Sequence, residues 1–226
     1  MKRALCRLAV AAALAAASVT AHAADPSQFS EAERRLFATD HLASLRVATR
    51  LEYAYRRSGS LQGEAQDRAV VTVAAPDAGG GHDVHVDFLS GARRLDLPDI
   101  KGAAGNPIIL HFLEREVREM NRLTGGSANY YRKRIRMALA EAARVRTVTR
   151  TVDGRSVPAV EIFIAPYRDD PARSRYERFA DKTFVLTLSE QVPGGVVELR
   201  SELLAQNAGG APELMLAESL TFVGRR

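Results

Sequence analysis

Residues 46–56 read Arg-Val-Ala-Thr-Arg-Leu-Glu-Tyr-Ala-Tyr-Arg. Val47, Thr49, Leu51, Tyr53 and Tyr55 alternate with Arg46, Arg50, Glu52 and Arg56. A half-buried β-strand needs this two-residue repeat, because successive side chains leave opposite faces. Just upstream the period is helical. Ser30-Glu31-Ala32-Glu33 has capping-box spacing and predicts a helix to about Leu45, with Leu36, Phe37, Leu42 and Leu45 as its apolar stripe. At Val47 the chain leaves a helix for a sheet, so the rest of the sequence has to supply partners for this strand.

Downstream it does so mostly as hairpins. Val70 to Ala75, then Val84, Val86 and Phe88, read as strands around the turn cluster Pro76–Gly81. Ser90-Gly91 predicts a tight return onto Leu95 and Leu97. The middle of the chain turns helical. Asn106-Pro107 offers a cap followed by a proline at the first helical position, and Ile109, Leu113, Val117, Met120 and Leu123 recur at helical spacing. Gly125-Gly126 stops that helix, and Ser127 can cap a second one with Tyr131, Ile135, Ala138, Leu139 and Ala142 on one side. So short a connection makes an antiparallel pair. From Val145 the two-residue period returns, with an Asp153-Gly154 hairpin, a Pro158 that suggests an edge or bulged strand, and a polar loop from Pro166 to about Asp181. Phe184 to Leu188, Val197 to Leu203 and Leu214 to Val223 complete about nine strands. Sequential strands with clustered helices predict an α+β fold, one antiparallel sheet with helices on a single face.

The first residues carry a different message. Lys2, Arg3 and Arg7, an apolar Ala-rich run from Leu8 to Val19, and Ala21-His22-Ala23 have the three parts of a cleavable secretory signal. The run is too short for a permanent membrane span, and no later segment reaches that length. The expected domains are a signal peptide over 1–23 and a soluble α+β domain over 24–226, addressed to the periplasm. Cys6, the only cysteine, lies before the apolar run, so the mature chain has no thiol and no disulfide. Losing 23 of 226 residues leaves 203, enough for one core without covalent staples. Basic residues fall from 32 to 29 with Lys2, Arg3 and Arg7, against 27 acidic ones. That balance gives no global field for polyanions, and no nucleic-acid partner is expected.

Chemistry-bearing patterns are sparse. His82 and His85 stand three apart in a predicted strand, so they should face opposite ways and share no metal. His111 and Glu114 have a spacing used in carboxylate bundles, but the pattern occurs once. No Gly-x-Ser-x-Gly elbow exists, and nothing favours a triad such as Ser127, His111 and Asp99 over other trios. Glu114–Arg118 and Arg115–Glu119 read as i,i+4 pairs on an exposed helix face. No metal, cofactor or catalytic residue is assigned. Arg132, Lys133, Arg134 and Arg136 form the densest basic cluster, a candidate contact for anionic lipid headgroups, lipopolysaccharide phosphates or an acidic protein surface.

An exported chain with a leading helix, many antiparallel strands and a helical pair between strand sets resembles the LolA/LppX group. The resemblance covers most of residues 30–223, rests on element order, and carries over no site residue. It implies a strongly curved sheet capped by helices around an apolar cavity for lipid or lipoprotein acyl chains. On that expectation the candidate wall is Tyr53, Tyr55 and Phe88 from the sheet, with Phe163 and Phe184 beside them. From the helical lid come Leu113, Val117, Met120, Tyr131, Ile135 and Leu139. The function expected is non-enzymatic binding of an apolar or amphipathic ligand. The alternatives are a scaffold or accessory subunit with an envelope protein partner, and a hydrolase whose site is assembled from distant residues.

Overall fold

The computed structural model describes residues 29–205 and 212–226; the expected signal peptide lies outside them. The chain enters through a short α1 (Glu31–Glu33), continued by a π-helical turn, Arg34–Ala38. The capping box forms as its spacing requires: Glu33 N–H donates to Ser30 Oγ at 3.1 Å and Ser30 N–H to Glu33 Oε2 at 2.9 Å. The helix ends earlier than predicted. Thr39 is extended and its hydroxyl closes onto Arg34 C=O, so Leu42 and Leu45 are buried from a turn and Phe37 stays exposed.

Nine strands follow: β1 (Thr49–Ser58), β2 (Ala65–Val73), β3 (His82–Phe88) and β4 (Ile100–Ala103), then β5 (Arg144–Val152), β6 (Arg155–Ile164), β7 (Thr183–Leu188), β8 (Val196–Ala205) and β9 (Glu213–Arg225). They form one antiparallel sheet in the order β4-β3-β2-β1-β9-β8-β7-β6-β5. The first four strands meander to one edge and the last five return from the other, so β1 and β9 pair in the middle. Between the edge strands β4 and β5 the chain crosses back through α2 (Ile108–Thr124) and α3 (Ala128–Glu141). Register shifts interrupt four of the pairings, at Glu52/Tyr53, His82/Val84, Thr187/Leu188 and Leu203/Leu204. Such bulges bend the strand that carries them and curve an open sheet.

The alternation that opened the reading holds from Thr49: Thr49, Leu51, Tyr53 and Tyr55 are buried, while Val47 lies outside the strand and is exposed. Leu95 and Leu97 do not form the predicted strand. Leu89 and Gly91 both take positive φ, a 3-10 turn spans Gly91–Arg93, and the pairing strand starts at Ile100. Pro158 sits inside the sheet, opposite Thr149 of β5, which is the true edge. It is tolerated because β7 pairs with β6 only from Val160 onward, so no neighbour needs the N–H that proline lacks. At the β5 edge, Arg146 and Arg150 both bind Glu161 of β6, charges that discourage further strand addition.

Candidate ligand site

Alternation and helical period together decide what fills the space between the layers. Tyr53, Tyr55, Phe88, Leu113, Val117, Met120, Tyr131, Ile135 and Leu139 all lie in a single buried apolar cluster, with Phe184 among them. The stripes of α2 and α3 face the sheet, α2 contacting β8 and α3 contacting β6. Phe163 is placed differently. Ile162 and Ile164 take the inner face of β6, so Phe163 projects to the other side, where the Arg144 guanidinium lies 4.3 Å from its ring centroid. The polar loop after β6 is not loose either. Tyr167 and Tyr176 pack edge-on against Tyr131, and Asp170 accepts from the Tyr130 and Tyr176 hydroxyls.

Within this apolar layer lies a group of charges. Glu116 of α2 is fully buried, with its carboxylate 2.5 Å from Lys182 Nζ and accepting from Ser201 Oγ at 2.9 Å. Alongside, Glu218 of β9 accepts from Tyr55 OH at 2.8 Å and from Arg115 Nη2 at 2.6 Å. Burial pushes the Glu116 carboxyl above the ordinary carboxylate range; Lys182 opposes this and the Glu218 charge adds to it. For Glu218 burial works in the same upward sense, but the charges of Arg115 and Lys182 outweigh it and hold the group low. The exposed-face reading of α2 is thus corrected. Glu114–Arg118 forms as predicted, but Arg115 turns to Glu218 and Glu119 is bound by Arg122 and Gln62. Glu116 stands three residues from Leu113 and four from Met120, so the apolar periodicity already placed it on the inner face. Two neighbouring carboxylates beside a lysine have the composition of an acid–base site. Sealed at 0–1% exposure, however, they reach no substrate and instead tie α2 to β8, to β9 and to the residue that leads into β7.

The histidines are similarly engaged. His41 accepts from Asn106 N–H on Nδ1 at 3.2 Å, so its other nitrogen donates to Arg35 C=O at 2.8 Å. Burial lowers its pKa and keeps it neutral, against the opposing pull of the Arg35 carbonyl and Asp40. His82 is buried on Ala74 C=O, whereas His85 is exposed between Asp99 and Asp87, the opposite faces expected of them. His111 bonds Pro107 C=O in the first turn of α2, and Ser127 lies beyond its last turn, about 20 Å away along the helix. That trio does not assemble.

Of the basic cluster on α3, Arg132 clasps Glu114 through two bonds of 2.7 and 2.8 Å, and Arg134 is drawn to Asp170 at 3.2 Å. Lys133 and Arg136 remain exposed.

A cleft of about 510 Å³ opens where the π-helical turn and the 39–44 segment meet the β7–β8 turn and β6. Ala43, Pro158, Ala159, Val160, Leu188 and Val192 form its apolar wall, and Arg35, Asp40, His41 and Gln191 its polar rim. Leu188 and Val192 also belong to the apolar cluster between the layers. Gly195 shapes its base: a Cβ there would stand 2.9 Å from His41 Cδ2. Sequence reading missed this place because its parts come from four separated segments with no shared motif.

The chain is similar to two solved structures. The lipoprotein LppX of Mycobacterium tuberculosis shares 13% identity over 84% of this chain and 91% of its own, with a TM-score of 0.34. A LolA superfamily protein of Nitrosomonas europaea shares 11% over 86% and 92%, with a TM-score of 0.22. At these values the likeness is a weak one of fold. No protein-family model and no curated protein sequence matches the chain.

Proposed function

We propose that this is an exported, non-enzymatic protein of the periplasm that binds an apolar or amphipathic ligand, a lipid or acyl chain, between its sheet and helices. The observation that carries the reading is the cleft beside His41. Its volume lies within the roughly 300–1,000 Å³ of small-molecule sites, and it joins an apolar wall to a charged rim as such sites do. Leu188 and Val192 belong at once to that wall and to the buried apolar cluster of Tyr53, Tyr55, Phe88 and the stripes of α2 and α3. An acyl chain lying on the wall would leave its polar head at Arg35 and Asp40. Export rests on the expected signal peptide, and no helix among the described residues is long and apolar enough to cross a membrane.

Organic extraction of protein purified from the periplasm tests the reading. Extracts of the wild type should contain long-chain lipid near one mole per mole of protein, and Ala43→Trp, which fills the cleft from an exposed loop, should carry far less. Lipid-free wild-type protein that also takes up none on incubation would overturn it.

A further inference from the structure

A second cleft, of about 540 Å³, lies at the other end of the strands, where α2 passes the end of β1 and the turn after β3. Its walls hold six arginines, Arg57, Arg93, Arg94, Arg115, Arg118 and Arg122, and one acidic residue, Glu119. Like charges crowd together at a cost unless something holds them, and here carboxylates do so from behind. Asp67 holds Arg93, Asp96 holds Arg94, Glu218 holds Arg115 and Glu114 holds Arg118, none of these four acids lining the cleft. The manner of holding is informative. Arg94 and Arg118 are engaged through Nε alone, and Arg57 through Nε to Gly63 C=O. Among the described residues, both terminal nitrogens of these three guanidinium groups have no protein acceptor. A guanidinium fixed at one edge presents the other as a preset fork, the geometry that binds phosphate oxygens in pairs.

We infer that this arginine cleft binds a phosphate-bearing ligand, as a free oligophosphate or as a phosphorylated lipid headgroup. The volume exceeds what a single ion would fill, and the terminal nitrogens left without a protein acceptor on Arg57, Arg94 and Arg118 offer more than one fork to a ligand's phosphate oxygens. The inference is independent of the acyl-chain reading, since it uses other residues and another cleft.

Calorimetric titration with inorganic pyrophosphate, and co-sedimentation with phosphatidylcholine vesicles with and without phosphatidic acid, test it on the mature chain. Arg57→Gln/Arg118→Gln removes two forks at partly or fully exposed positions, and Lys133→Gln/Arg136→Gln on α3 serves as the comparison. The wild type should bind pyrophosphate or the phosphatidic acid vesicles, more weakly as salt is raised. The first variant should lose at least about tenfold in affinity while the α3 variant keeps it. Binding of pyrophosphate identifies a free oligophosphate as sufficient; binding of vesicles alone identifies the headgroup. Either result supports the site. Should Arg57→Gln/Arg118→Gln not fold, Arg118→Lys, which keeps the charge and loses the fork, should still weaken binding. No binding by the wild type in either assay, or binding that survives the cleft substitutions, would overturn the inference.

Discussion

Glu116 shows how a single buried carboxylate shapes stability. Lys182→Met would leave Glu116 in the apolar layer without its cation, where staying charged costs about 3–5 kcal/mol and drives the carboxyl to take up a proton. Glu116→Leu/Lys182→Met, which removes both charges, should recover most of that loss in urea unfolding. The pH dependence has a definite sign. The folded pKa of Glu116 is raised to about 7, so between the ordinary carboxylate range and that value the folded state binds the extra proton. Its contribution therefore falls as pH rises through this window. His41 and His111, buried and lowered in pKa, act in the opposite sense there and are common to wild type and mutant. The difference between wild type and Glu116→Gln isolates the carboxylate. Relative to the mutant, wild type should lose stability from pH 5 to pH 7; a flat difference would show that the pair does not titrate as described.

Among the elements, α2 is anchored at its start by Asn106. This side chain donates to Tyr53 OH at 2.9 Å and to Gly194 C=O at 2.8 Å, and it accepts from Ile108 N–H at 3.1 Å. It joins the helix to β1 and to the β7–β8 turn, so Asn106→Ala should cost about 2–4 kcal/mol, read from the denaturation midpoint. A loss below about 0.5 kcal/mol would mean these bonds are replaced by water. The sequence identified Asn106 as a cap, because capping is local, but not its two distant partners. The same boundary separates the legible from the illegible elsewhere. Strand alternation at Thr49–Tyr55, the Asp153-Gly154 turn and the Gly125 helix stop are local patterns, and each forms. The end of α1 and the route from Leu89 to Ile100 depend on backbone bonds to remote segments, Leu42 N–H to Ala104 C=O and Leu89 N–H to Arg68 C=O, which local spacing does not announce. Both clefts are built from segments far apart in the chain, so no spacing could announce them. Arg115 illustrates the point, since its i,i+4 partner Glu119 was visible and its actual partner Glu218 lies 103 residues away.

At the scale of the whole molecule, the protein is an open sheet with a helical crossover on one face and a cleft at each end of the strands. Export can be checked directly: the periplasmic protein should begin at Ala24 and contain 203 residues by mass, and an intact 226-residue chain held in the membrane would contradict it. The central claim concerns where an acyl ligand goes, and a fluorescent fatty-acid titration of three proteins tests it most directly. Wild type should bind saturably. Ala43→Trp should block the cleft mouth and Ala138→Trp, on the inner face of α3, should crowd the layer behind it, each weakening binding by about tenfold or more. Ala138→Trp should also cost about 1–3 kcal/mol of stability, as overpacking does. Saturable binding by wild type, lost in both variants, is the result the account predicts; no binding by folded wild type, or binding indifferent to both substitutions, would contradict it.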